Sequence, residues 1–213
     1  MKPFDYSQIT LVPKGVSTLK SRDEADTSVM FAGEKLTVPL IASPMRDVCD
    51  GKMLKVLLDL GAYGFIHRFW DVDEQVEEWQ KVRSGGCAIG ITGDWAWRLN
   101  RLCRAGCRSF CIDVANGASL QAKLVLEEMQ KLILSWERPK KTLSQSEKIY
   151  ITVGNVASRE CYEVIKGWPG VNAIRVGIAG GDVCSTKTET GVYFPTASSV
   201  YNCSSPENKG VSL

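Results

Sequence analysis

The chain has 213 residues, 44% hydrophobic and 23% charged, a composition typical of one folded globular domain and not of a disordered chain. Its 26 lysines and arginines nearly balance 24 aspartates and glutamates, so we expect neither nucleic acid nor an anionic membrane as a partner. No apolar run reaches the roughly 18 residues of a membrane span, and the N-terminus lacks the apolar core of a signal peptide, which predicts a cytoplasmic protein.

Short apolar runs rich in β-branched residues alternate with segments of helical spacing along the chain. The runs are typical of parallel strands covered on both faces and predict strands at residues 38–43, 63–67, 87–91, 109–113, 149–153 and 173–178. The segments between them predict helices at residues 52–60, 72–82, 95–104, 120–134 and 156–167, with Ser158 in the first turn of the last. The polar residues 137–148 predict an exposed loop.

This alternation supports either an open doubly wound sheet or a (β/α)8 barrel. No GxGxxG motif follows the first strand, which argues against a dinucleotide-binding fold, and a polar or glycine-containing turn follows nearly every strand, as in a barrel. We therefore predict an α/β fold of the (β/α)8 TIM-barrel type, truncated after about six β-α units. Residues 1–213 would form one incomplete barrel domain, with a seventh strand beginning at 210–213.

The eight cysteines include no CxxC pair and the chain has one histidine, which argues against a zinc site and for free thiols in a reducing compartment. Most of these cysteines should be small core residues. Cys184 differs because it lies in a glycine-rich polar loop after the sixth predicted strand, next to Ser185, Thr186 and Lys187. Backbone amides and a nearby lysine favour a thiolate, so Cys184 is either a nucleophile or one more buried thiol.

Several segments occur in an order that is specific to one family. FDYSQITLVPK and STLKSR near the N-terminus, LIASPM (40–45), GFIH (64–67), CIDVANG (111–117), VGNV (153–156) and GIAGGDVCST (177–186) together resemble the IMP dehydrogenase/GMP reductase family of (β/α)8 purine-nucleotide enzymes. STLKSR, CIDVANG and CSTKTETGVYFP are more similar to the GMP reductase branch. Only about 20 residues separate His67 from Cys87, which leaves no room for the CBS-domain insertion usual in the dehydrogenases.

The resemblance implies hydride chemistry at C2 of a purine nucleotide. Cys184 would attack C2 of GMP, ammonia would leave with help from Thr186, and NADPH would deliver hydride to give IMP. One alternative is the dehydrogenase reaction, in which IMP and NAD give XMP. Another is a non-catalytic structural or assembly subunit that kept the cysteine loop by descent.

The resemblance also implies roles for individual residues. The catalytic residues are Cys184 and Thr186; the cofactor-binding residues are Asp113, Ala115, Asn116 and Gly117; the substrate-binding residues are Ser43, Met45, Asn155, Gly181 and Asp182. The carbonyls of Gly181 and Cys184 correspond to ligands of a monovalent cation such as K⁺. Structural alternatives stay open, because Asp113 could cap a helix, Ser43 and Asn155 could stabilise turns, and Met45 could fill the core.

Three departures from the family pattern bear on partners. Asp182 stands where the family has a phosphate-binding serine, and a carboxylate there would repel a phosphate dianion. Arg46 and Asp47 replace the usual aspartate and threonine. The family's seventh and eighth strands, which supply a ribose-binding aspartate, phosphate-binding amides and a catalytic glutamate, have no counterpart here. We therefore expect a homo-oligomer, a complementary chain that supplies the C-terminal barrel, or a fragment of a longer protein.

Overall fold

The computed structural model describes residues 3–10, 12, 15–136, 148–181 and 184–204, so the predictions for Asp182, for the loop at 137–147 and for a strand at 210–213 lie outside the described residues. Six parallel strands form one sheet in chain order: β3 (Ile41–Ala42), β4 (Tyr63–Ile66), β5 (Gly86–Ile89), β6 (Ser109–Asp113), β7 (Tyr150–Val156) and β8 (Ala173–Val176). The predicted strands and their parallel order are confirmed.

Five helices connect these strands: α1 (Gly51–Asp59), α2 (Val72–Val82), α3 (Trp95–Ala105), α4 (Leu120–Trp136) and α5 (Arg159–Lys166). Their boundaries lie within a few residues of the predicted ones. The prediction was wrong at the start of α5, because β7 continues to Val156, three residues beyond its predicted end. Ser158 is therefore the N-cap, and its hydroxyl accepts the amide of Cys161.

Alternate residues of the strands pack on opposite faces of the sheet. In β6, Phe110 and Ile112 join the large apolar cluster against the helices, whereas Cys111 faces the concave side. The antiparallel hairpin of β1 (Val29–Phe31) and β2 (Glu34–Leu36) packs on that concave side. Phe31 makes edge-on contacts with Tyr63 and Phe65, with ring centroids 5.2 Å and 6.2 Å apart, so the hairpin fills part of the interior.

The sheet curls until its two outer strands approach each other. Arg175 of β8 donates a hydrogen bond of 3.4 Å to Ser43, which follows β3. The result is a curled parallel half-barrel of six strands, which confirms the predicted α/β barrel class. After β8, residues 177–181 and 184–196, here called the cysteine loop, contain the short helix α6 (Thr186–Thr190) and lead into α7 (Thr196–Cys203). No helix in the described part of the chain is long and apolar enough to cross a membrane.

Candidate active site

Most of the predicted site residues lie where the parallel strands end at the C-terminal side of the sheet. Ser43 follows β3, Asp113 ends β6, and Asn155 lies near the end of β7. A cavity of about 370 Å³ opens on the concave side between the outer strands, and its lining includes Ser43, Phe65, Thr152, Asn155, Arg175 and Val200. This end of a barrel is where the loops of successive β-α units converge.

Arg175 connects the residues around this cavity. Its guanidinium contacts the Asp113 carboxylate at 2.5 Å, the Ser43 hydroxyl at 3.4 Å and the Cys111 sulfur at 3.7 Å. Burial lowers the pKa of the Arg175 guanidinium, but Cys111 and Asp113 outweigh it and raise that pKa above its ordinary value. A Cβ on Gly154 would lie 2.6 Å from the Cβ of Arg175, so the glycine leaves space for this side chain. The cation therefore stays charged beside the cavity.

Sequence reasoning missed Arg175. The apolar residues of the run AIRVGI predict a strand, but that pattern gives no role to the arginine within it. The available signal was a single charge inside a strand expected to be covered on both faces, since such a charge needs a buried partner. Arg68, which follows β4, brings a second cation within 3.9 Å of Asp113.

The segment after β6 connects Asp113 to Asn155 of the neighbouring strand. Gly117 is buried, its N–H donates to the Asn155 carbonyl at 2.8 Å, and a Cβ on it would lie 2.9 Å from the Cα of Gly154. The Asn155 amide group donates to the Gly177 carbonyl at 2.7 Å, so Asn155 holds two loops together. The Asp113 carboxylate pairs with Arg175, and the hydroxyl that accepts the Ala122 N–H at the start of α4 is that of Ser119. Asp113 is therefore not the cap of that helix.

Other predicted residues lie at the surface of this end. Ala115 and Asn116 are exposed, and the Asn116 side chain accepts the Ala118 amide at 3.2 Å. Met45 is half exposed, with its N–H bonded to the Ser43 carbonyl at 2.8 Å, so it does not fill the core. Gly181 is exposed, and its carbonyl accepts the Cys184 N–H at 3.1 Å, which places these two residues in one turn.

Cys184 has a different environment from the buried cysteines. Hydrogen bonds from the hydroxyl and N–H of Thr186 and from the N–H of Lys187 lower the pKa of the Cys184 thiol, and burial and Glu189 oppose them only in part. By contrast, burial raises the pKa of the Cys49 thiol to about 12 and that of Cys111 to about 11. Cys184 is also partly exposed, whereas those two are buried. It combines access with a stabilised thiolate, the two requirements for a nucleophilic cysteine.

The end of the half-barrel therefore has a cavity lined by Arg175, whose partner Asp113 also has Arg68 nearby, and a partly exposed thiol in the loop after β8. The arginines suit an anionic or electron-rich ligand, and Asn155 and Ser43 offer polar contacts in the cavity wall. In the described part of the chain, no group of three or more His, Cys, Asp or Glu side chains could hold a metal ion.

Comparisons with known proteins agree with this arrangement. The model of the IMP dehydrogenase / GMP reductase domain matches residues 3–212. A GMP reductase from Chromobacterium violaceum is 28% identical over 205 residues, which cover 94% of this chain and 60% of that protein. A GMP reductase from Ascaris suum is 30% identical over 214 residues, which cover 94% of this chain and 56% of that protein. The chain thus spans 56–60% of the length of these relatives.

Among solved structures, the inosine 5′-monophosphate dehydrogenase from Legionella pneumophila superposes with a TM-score of 0.80. It is 25% identical, and the match covers 95% of this chain and 59% of that one. The similarity therefore extends over nearly all of the half-barrel and over a little more than half of the solved chain.

Proposed function

The chain belongs to the IMP dehydrogenase / GMP reductase family, and from this we propose that it carries the nucleophile of a GMP reductase, the enzyme that converts GMP, NADPH and a proton into IMP, NADP⁺ and ammonia. The observation that carries the proposal is Cys184, a partly exposed thiol after β8 that accepts a hydrogen bond from Thr186. The GMP reductase relatives support this branch over the dehydrogenase.

The reaction assigns separate tasks to the thiol and the hydroxyl. The Cys184 sulfur forms a bond to C2 of GMP, and the bond from C2 to the exocyclic nitrogen then breaks, releasing ammonia once that nitrogen has gained a proton. Thr186, whose hydroxyl lowers the pKa of the Cys184 thiol, would help to bring that proton to the leaving nitrogen. When hydride has reached C2, the C–S bond breaks and the thiolate is restored.

The residues present fit a nicotinamide cofactor. NADPH supplies hydride when it is bound. Asp113 would hold it together with Ala115, Asn116 and Gly117, and the exposed positions 115 and 116 are accessible to a ligand. Arg175 and Arg68 fix the orientation of the Asp113 carboxylate and offset its charge, so an electron-rich ligand meets little net repulsion there.

Substrate and cation contacts complete the proposal. Ser43 and Asn155 line the cavity and would orient the purine nucleotide, together with Met45 and Gly181. Asp182 stays a proposed substrate contact outside the described residues. The carbonyls of Gly181 and Cys184 would contribute to a larger set of K⁺ ligands. The Gly181 carbonyl, which accepts the Cys184 N–H, keeps a second lone pair for this.

A second chain is part of the proposal. β3 and β8 are the outer strands of the six-stranded sheet. Leu40, just before β3, and Ile41, in β3, are 51% and 40% exposed. Apolar outer strands favour pairing with further strands. We propose that a complementary chain or another copy of this chain covers them, and that residues 1–213 form one incomplete barrel domain without a CBS insertion, located in the cytoplasm.

The test combines an activity assay with a thiol-protection assay. The chain is mixed with GMP and NADPH, alone and with the part of the Chromobacterium violaceum GMP reductase that the match leaves uncovered, and nucleotides are separated by chromatography. We expect IMP only in the mixture and none with Cys184→Ser. Independently, GMP should slow iodoacetamide alkylation of Cys184 but not of Cys103, a partly exposed cysteine on α3.

Two outcomes contradict the proposal. XMP formed from IMP and NAD, without IMP from GMP, assigns the dehydrogenase reaction, the candidate favoured by the Legionella pneumophila structure. Alkylation of Cys184 at the rate of Cys103, with no protection by GMP or IMP, favours the non-catalytic subunit.

A further inference from the structure

The N-terminal segment binds the part of the chain that follows Cys184. The Asp5 carboxylate accepts the Thr196 N–H at 2.7 Å through one oxygen and the Tyr193 hydroxyl through the other. Beside it, the Phe4 N–H donates to the Ser198 hydroxyl at 2.7 Å, and the Phe4 carbonyl accepts the Ser198 N–H at 3.1 Å. These four bonds connect residues that are 188 to 194 positions apart in the chain.

Local hydrogen bonds also hold the backbone of Asp5 in place. The Gln8 N–H donates to the Asp5 carbonyl at 3.0 Å, and the Gln8 side-chain carbonyl accepts the Asp5 N–H at 3.0 Å. This reciprocal pair forms the short helical turn Tyr6–Gln8 and fixes the backbone of Asp5. The carboxylate therefore meets the cysteine loop with a preset orientation.

The residues bound by Asp5 form the closing side of the cysteine loop. Phe194 pairs with Ile178 in an antiparallel bridge, so the two ends of the loop lie side by side. Thr196 packs against the glycines of the first end: a Cβ on Gly177 would lie 3.3 Å from its methyl group, and a Cβ on Gly180 would collide with its hydroxyl. A change in the position of Thr196 thus affects Gly177 and Gly180, which precede Cys184 in the chain.

A second contact runs through Tyr193 to the helix after the cysteine. The ammonium group of Lys187 lies 4.4 Å from the centre of the Tyr193 ring. The N–H of Lys187 is one of the donors to the Cys184 sulfur. Asp5 therefore reaches the cysteine loop from both sides, through Thr196 to its glycines and through Tyr193 to α6.

We propose that Asp5 is a positioning residue of the active site, which fixes the cysteine loop so that Cys184 and Thr186 keep their mutual orientation. Its relevance to turnover rests on the proposed function, but its effect on the loop does not. An aspartate suits the position because its two oxygens each accept one hydrogen bond and neither carries a hydrogen. Asparagine keeps the acceptor for the Thr196 N–H and turns an amide donor toward the Tyr193 hydroxyl.

The test measures the order of the loop and the reactivity of its thiol in the full chain. Hydrogen–deuterium exchange of peptides covering 184–196 is compared for the wild type, Asp5→Ala and Asp5→Asn, with Asp59→Asn on the exposed surface of α1 as a control. We expect exchange in 184–196 to accelerate about tenfold in Asp5→Ala, with peptides from β6 unchanged. In Asp5→Asn, the logarithm of the exchange rate should rise by no more than half as much as in Asp5→Ala. The exchange rates of Asp59→Asn should match those of the wild type.

Alkylation at one fixed pH gives the second measurement. In Asp5→Ala, the rate at Cys184 should fall at least threefold relative to the rate at Cys103. If Asp5 has a merely structural role, the alkylation rates of Cys184 and Cys103 should change by the same factor, and that result overturns the proposal. Unchanged hydrogen exchange in 184–196 also overturns it. Should Asp5→Ala not fold, Tyr193→Phe keeps the ring over Lys187 and removes one hydrogen bond to Asp5, so it must show the same changes in weaker form.

The failure of the proposed function has a different signature. In that case wild-type Cys184 reacts no faster than Cys103 and is not protected by GMP, while the exchange measurements still decide the role of Asp5.

Discussion

The ion pair between Arg175 and Asp113 should be strongly coupled, because both side chains are largely shielded from water. Their closest atoms are 2.5 Å apart, and the side chains are 23% and 19% exposed. Removing one partner of a buried pair costs about 3–5 kcal/mol, since it leaves an uncompensated charge. Arg68 stays 3.9 Å from Asp113 and compensates part of the loss, so we expect Arg175→Met to lower the free energy of unfolding by about 3 kcal/mol.

The measurement is a double-mutant cycle with Arg175→Met, Asp113→Asn and the combined variant, followed by urea denaturation. The combined variant should lose less stability than the sum of the single variants, with a coupling energy of about 2 kcal/mol or more. The slope of the free energy against urea should stay constant, which shows that the unfolded state has not changed.

A surface pair provides the matched control. Arg101 and Asp73 are 2.7 Å apart, but their side chains are 37% and 66% exposed. Exposed pairs are coupled by about 0.2–1 kcal/mol, because water screens the charges. If the cycle at Arg175 and Asp113 gives a coupling in that same range, the argument from burial is wrong and the site tolerates an unpaired carboxylate.

Three further predictions concern single residues. Thr186→Val should raise the pKa of the Cys184 thiol, so the midpoint of its alkylation rate against pH moves upward; an unchanged midpoint would show that the hydroxyl does not stabilise the thiolate. Burial, and to a smaller extent Arg46, lowers the pKa of His67 in the folded chain below its ordinary value of 6.5. The contribution of His67 to the free energy of unfolding should therefore be complete above pH 6.5 and be lost as the pH falls through the lowered pKa. The melting temperature of His67→Gln should not show this decline. Arg98→Leu should destabilise the chain by about 3 kcal/mol in urea, because it removes a buried guanidinium bonded to Gln75; a loss below 1 kcal/mol would contradict this.

The barrel strands and their helices could be predicted because each one repeats a strong pattern. Buried parallel strands need continuous apolar runs, and helices packed on one face need regular apolar spacing. The β1–β2 hairpin was missed because each strand has three residues, too few for an alternating pattern to stand out. Helix α7 was missed because its segment, TASSVYNC, is largely polar and buries small serines that a pattern of large apolar residues does not detect.

The site could be predicted only where the chain carries a local signal. Cys184 follows a strand in a glycine-rich loop, and family resemblance marks its neighbours. Asp5 has no such signal, and Arg175 has only that of a charge inside an apolar strand, which does not identify its partner. The partners of both residues lie more than 60 positions away in the chain. An aspartate near the N-terminus and an arginine in a strand are ordinary residues until the fold brings those partners together.

The contact between Phe4 and Ser198 also has a consequence for synthesis on the ribosome. Its hydrogen bonds span 194 positions, and at about 5–20 residues per second roughly 10–40 s pass between the addition of these two residues. The sheet can grow strand by strand during that time, because each strand pairs with the one just made. The surroundings of Cys184 cannot be completed until residues 193–198 emerge, so they are completed only after all six strands of the sheet have been synthesised.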